Sequence, residues 1–209
     1  MRQTKASASV RWIQNAVFAG LTSVFLFTDT VAAAATDPAA SFVQKAAVEA
    51  IAILSNRSIE DSERRARFRG AILRNFDAPA IARLVVEPYW ARASADQQSR
   101  FQAVFAGALA NIYTERFYDY DGQSLQIKSA HADASGATIV RSTISTPTGS
   151  TVYDVDWIVT GPAGREKFLD VVIDGVSTSA TTKQDYASFL RGANGNLDAL
   201  SAALKAKGN

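Results

Sequence analysis

The chain has 209 residues, 47% of them hydrophobic and 20% charged, which describes one globular domain with a real core and not a disordered or multi-span membrane chain. It contains no cysteine and one histidine, so disulfide frameworks, thiol nucleophiles, zinc fingers and iron–sulfur sites are excluded by count, and any Ser-His-Asp chemistry would have to pass through His131. The formal charge of +2 belongs to the N-terminus: Arg2, Lys5 and Arg11 are three of the 22 basic residues and Asp29 is one of the 20 acidic ones, so the chain without residues 1–34 is neutral.

Those first residues read as an export signal. A basic start is followed by an apolar stretch from Trp12 to Phe27 and then by the small run Val31 to Ala35, the three parts of a cleavable secretory peptide over 1–34. Residues 35–209 are then expected to form one exported domain. Its neutrality argues against nucleic acid, because phosphate binding draws on a basic surplus that export would remove.

The first half of that domain has helical periodicity. Asp37 with Pro38 behind it is a helix start, and Phe42, Val43, Ala46, Ala47, Ile51 and Leu54 recur on one face until Asn56. Ser58 with Asp61 predicts a capping box for a second helix carrying Phe68, Ile72, Leu73 and Phe76. Along it Glu60, Asp61 and Glu63 precede Arg64, Arg65, Arg67, Arg69 and Arg74, an order that complements the helix dipole; the alternative is a docking face for an acidic partner or lipid head groups. Asp77 and Pro79 start a short third helix that stops at Glu87-Pro88, with Tyr89 and Trp90 beyond. Ser94 and Gln97 box the start of a long fourth helix, whose wide apolar stripe includes Phe101, Phe105, Leu109 and Tyr113.

Beyond Gly122 the period becomes two. Leu125 and Ile127, Thr138 to Ile144, Val152 to Thr160 and Phe168 to Asp174 predict four strands joined by turns at 133–136, 147–150 and 161–164, ended by Asp174-Gly175. Lys183 to Arg191 and Asn196 to Lys205 read as closing helices. The predicted fold is α+β: N-terminal helices packed on a strongly curved four-stranded antiparallel meander, closing C-terminal helices, and an apolar cavity between.

Candidate chemistry is sparse. His131 beside Asp133 in a predicted turn suggests a dyad, with an exposed loop histidine as the alternative. Asp154 and Asp156 on one strand and Asp170 and Asp174 on the next offer paired carboxylates for acid–base work on a hydrophobic substrate or for a metal cradle; the alternative is that they mark the watered face, opposite Tyr153, Val155, Trp157 and Val159. No glycine-rich phosphate loop occurs, and Asp119 and Asp121 before Gly122 resemble part of a calcium loop whose twelfth-position glutamate is missing.

Two blocks carry a resemblance. Phe76-Asp77 to Arg83, Tyr89-Trp90-Ala91-Arg92, Ser94 to Phe105 and Tyr113 to Tyr120 form the first. Tyr153 with Val155, then Phe168-Leu169-Asp170-Val171-Val172-Ile173-Asp174-Gly175-Val176-Ser177, Thr182-Lys183-Gln184 and Phe189-Leu190 form the second. Together, from about Phe42 to Leu204, they resemble the periplasmic phospholipid-binding MlaC family, also called the toluene-tolerance Ttg2D family; Arg116 to Gly122 also resembles its hopanoid-associated branch. The Trp-Lys-Val usual before the aspartate is Glu166-Lys167-Phe168-Leu169 here, a departure from the family pattern. The resemblance implies a non-enzymatic carrier that takes phospholipid or a hopanoid-like lipid as cargo. It implies exchange with an inner-membrane ABC transporter complex and an outer-membrane lipoprotein complex, and no resident cofactor or metal. The tails are then expected against Phe101, Phe105, Leu109 and Tyr113 from the long helix and Val155, Trp157, Phe168 and Val172 from the strands, with Tyr89 and Trp90 at the mouth.

Overall fold

The computed structural model describes residues 37–118 and 120–207; the expected signal segment 1–34 lies outside the described residues. Helix α1 (Pro38–Ser55) begins as its sequence dictates: the Asp37 carboxylate accepts from the amides of Ala39 at 2.8 Å and Ala40 at 3.2 Å, and Pro38 occupies the first turn, where its missing N–H costs nothing. Helix α2 (Asp61–Asn75) begins differently from the expectation. Ser58 does not cap it, because its amide and hydroxyl both bond the Asn56 side chain, at 3.0 and 2.6 Å, in a local turn. The anions Asp61 and Glu63 in its first turn serve the exposed amides instead. Its basic run is largely paired within the helix: Arg64 and Arg65 with Asp61, and Arg67 with Glu63.

Helix α3 (Ala78–Val85) is capped by Asp77, a single 3-10 turn spans Trp90–Arg92, and α4 (Ala95–Phe117) opens with both halves of the Ser94–Gln97 capping box. Five antiparallel strands follow in spatial order: β1 (Ser124–Ala132), β2 (Thr138–Ser145), β3 (Thr151–Thr160), β4 (Lys167–Ile173) and β5 (Val176–Ser177). The expected meander of four thus gains a short fifth strand. Asp174 (φ 48°) and Gly175 (φ 81°) do not end the sheet; both take left-handed backbone and so make the two-residue hairpin turn that Asp-Gly favours. Ser177 then caps α5 (Thr178–Gly192), which starts five residues before Lys183, and α6 (Leu197–Lys207) closes the chain.

Three bulges bend the sheet, and they decide which residues face inward. On β1 the register shifts between Ile127 and Ser129, so Leu125, Ile127 and then Ala130 share the inner face. On β4 Phe168 opposes Val159, and after the shift Val171 opposes Trp157 and Ile173 opposes Val155. Directly opposed residues point to one side of a ladder. The bulge therefore brings Phe168, Val171 and Ile173 to the inner face although strict alternation would separate them.

The apolar interior falls into two regions. In one, α4 packs along α6 and α5, with the Phe101 and Phe105 rings edge-on to Tyr186 at 6.4 and 6.3 Å. A bidentate pair from Arg100 to Asp198, at 2.9 and 3.0 Å, joins the starts of α4 and α6. In the other, α1 crosses the inner face of β1 to β3 beside α2. The second region is not filled.

Candidate functional site

Between α1, α2 and the bent sheet lies a cavity of about 500 Å³. Protein interiors pack nearly as densely as organic crystals, so a void of this size needs a cause in the side chains. The cause is on α1: Ala46, Ala47 and Ala50 face the sheet alongside Val43, Ile51 and Leu54, and three methyl groups leave open the space that larger side chains would occupy. Phe68, Ala71 and Ile72 of α2 form the adjoining wall, and Leu125, Ile144, Val155 and Ile173 the sheet side.

One end is closed by aromatic rings. Phe168 lies 4.6 Å from Phe42, 5.1 Å from Phe76 and 5.1 Å from Trp157, ring centre to ring centre, and Phe76 in turn rests 4.3 Å from Tyr113. The Trp157 indole donates to the Ser142 hydroxyl at 2.8 Å, and that hydroxyl donates to the Val155 carbonyl at 3.2 Å. The one polar atom of the ring is thereby satisfied and its orientation held. The opposite end is open: Val152 and Tyr153 line it yet are 38% and 46% exposed. Asn75, Tyr120, Gln123 and Ser124 bring polar atoms to the lining. The segment before Tyr120 is tied to α2, since Tyr118 donates to Asp61 at 2.5 Å beneath the Arg65 guanidinium. That hydrogen bond and then the Arg65 contact hold the Asp61 carboxyl below its ordinary range.

Of the ten residues expected at the site, Val155, Trp157 and Phe168 stand on the cavity wall. Tyr113 is buried one layer behind it, against Phe76. Phe101, Phe105 and Leu109 are buried away from it, because α5 and α6 fold over the α4 stripe that carries them. Val172 opposes Asp156 and so points to the outer face. Tyr89 and Trp90 are half-buried but away from the mouth: Tyr89 stacks under Arg92 and against Gly195, and the Trp90 carbonyl accepts from Gln98 at 2.9 Å. The row that reasoning from sequence passed over is the alanine face of α1. Its signal was present, as small residues at helical spacing between larger apolar ones.

The carboxylates do not gather in the cavity. Asp154 is exposed and Asp156 faces Arg141 at 3.6 Å. Asp170, expected to face water, is buried outside the cavity lining; it accepts from the Val171 amide, the Ser179 amide and the Ser177 hydroxyl and so anchors the start of α5. His131 lies on β1, exposed, and not in the turn, while Asp133 caps that turn by accepting from Ser135 and Ala137. No group of histidine, aspartate and glutamate suited to a metal occurs among the described residues, and no helix among them is long and apolar enough to cross a membrane.

A curved sheet and two helices enclosing an open-ended apolar cavity define a protein built to hold something, with its acids turned elsewhere. The family model of the MlaC protein matches residues 44–206, and the chain belongs to that family. It is 24% identical over 123 residues to the toluene tolerance protein ttg2D of Pseudomonas putida; the match covers 58% of this chain and spans 57% of that relative's length. A phospholipid-binding protein of Ralstonia solanacearum, solved in complex with a phospholipid, has the same fold: TM-score 0.67 over 80% of this chain and 95% of that one, at 21% identity.

Proposed function

We propose that this protein is a lipid carrier of the periplasm that sequesters phospholipid acyl chains in the cavity between α1, α2 and the sheet. The observation that carries the reading is the cavity itself, mostly apolar in its walls, closed at its aromatic end and open at Tyr153. Burying a methylene is worth about 0.8 kcal/mol, so two tails of about fifteen methylenes resist passage through water by on the order of 25 kcal/mol. A carrier must cover those tails and can leave the head group in solvent. That requirement matches a site with apolar walls and few polar groups. Membership of the MlaC family and a shared fold with a protein solved around a phospholipid support the same reading. Export by a signal peptide over 1–34, and exchange of cargo with an inner-membrane ABC transporter complex and an outer-membrane lipoprotein complex, complete it.

Native mass spectrometry of protein purified from cells without detergent tests the proposal. The expected result is a population carrying one phospholipid-sized adduct. Protein that is repeatedly empty would overturn the carrier reading, and an adduct with a hopanoid mass would replace phospholipid as the cargo.

A further inference from the structure

Arg57 lies just beyond Asn56, the C-cap of α1, and its guanidinium donates to the backbone carbonyl of Tyr120 at 3.4 Å. Tyr120 lines the cavity near its open end, so this contact sets an exposed cation beside the entrance. The loop that carries it is held by the double hydrogen bond from Ser58 to Asn56. Its charge also lacks a carboxylate partner among the described residues, a trait it shares in this stretch only with Arg69, which borders α4 and α6 away from the cavity. Arg64 and Arg65 share Asp61, Arg67 pairs with Glu63 and Arg74 with Glu49, whereas Arg57 makes no ion pair among the described residues. A guanidinium has five N–H donors in a planar fork that matches the oxygens of a phosphate, and the carbonyl of Tyr120 uses one.

We propose that Arg57 binds the phosphate of the cargo's head group where it emerges beside Tyr120. This rests on the carrier reading and extends it: the tails are held without regard to identity by the walls, and the phosphate is recognised at the rim. The proposal gives the site a preference, for lipids with a phosphodiester over neutral lipids with the same tails.

The test loads the delipidated full-length mature chain from vesicles containing equal amounts of phosphatidylglycerol and of diacylglycerol with identical acyl chains, and reads the bound ratio by native mass spectrometry. Wild type is expected to favour phosphatidylglycerol by roughly tenfold, the scale of one charge-assisted contact at a partly wet site. R57A is expected to lose that preference while still carrying lipid, R57K to keep part of it, and R67A, whose guanidinium is paired with Glu63, to behave as wild type. Millimolar inorganic phosphate, which has no tails, is expected to leave the ratio unchanged; erosion of the ratio would overturn recognition of a tethered head group. R57A with an undiminished preference, or wild type with none, would overturn the role of Arg57 and leave the carrier reading standing. Wild type that takes up neither lipid would overturn both.

Discussion

Single side chains decide how the cavity keeps its shape. Ser142 is a polar residue among the apolar side chains of its strand's inner face, and its hydroxyl accepts from the Trp157 indole and donates to the Val155 carbonyl. Ser142→Ala leaves that N–H without its partner, and an unsatisfied donor in such surroundings costs about 1–3 kcal/mol. A urea denaturation series on the empty protein should register that loss, with a shifted tryptophan emission marking the altered surroundings of the ring. Tyr186 lies in the filled helical region, where burial first and Asp185 second push its hydroxyl up to about 12. An unfolded tyrosine ionises near pH 10. Because the folded value is the higher one, the stability this residue contributes is complete below about pH 10 and is lost as pH rises through about 12. The melting temperature of wild type should therefore fall more steeply across that window than that of Tyr186→Phe, which has no proton to lose.

At the scale of elements, α1 and α4 exchange the roles that their sequences suggest. The stripe on α4 is wider and more aromatic, and it resembles a binding wall. Yet α5 and α6 cover it and it becomes ordinary core. Helix α1 is poorer in bulk, and that poverty makes the space. Ala50→Phe should accordingly fill part of the cavity without straining a packed core. Displacing about three methylenes of cargo at about 0.8 kcal/mol each lowers lipid loading on the order of fifty-fold. The thermal stability of the empty protein should hold or rise. A fall in stability with normal loading would mean that α1 does not face the cargo. The strands were legible from their alternation and their turns, but the β4 bulge was not: alternation alone puts Phe168 opposite in facing to Val171 and Ile173, and one extra residue in the ladder unites them.

For the whole molecule, the relevant quantity is volume. A cavity of about 500 Å³ falls within the range of ligand pockets, about 300–1,000 Å³. A two-tailed cargo fills more of it than a single-tailed one and presses on the surface where α1 lies across the sheet. Spin labels at the exposed positions Val48 on α1 and Gln126 on β1 should move apart when the empty protein is loaded with a two-tailed lipid, and should move less with a single-tailed lysolipid. Equal distances in all three states would mean that the second tail stays outside.

The sequence by itself determined the class of fold, the helix caps at Asp37, Asp77 and Ser94 and the inward row of β3, because each of these depends on neighbours within a few residues. Only the tertiary structure decided which apolar face is buried by protein and which is left open. Periodicity marks a residue as turned from water, and it carries no information on whether the chain has enough atoms to fill the space in front of it. Phe105 and Ala47 read alike as inward positions. One meets Tyr186, and the other meets a space that no side chain of the molecule occupies.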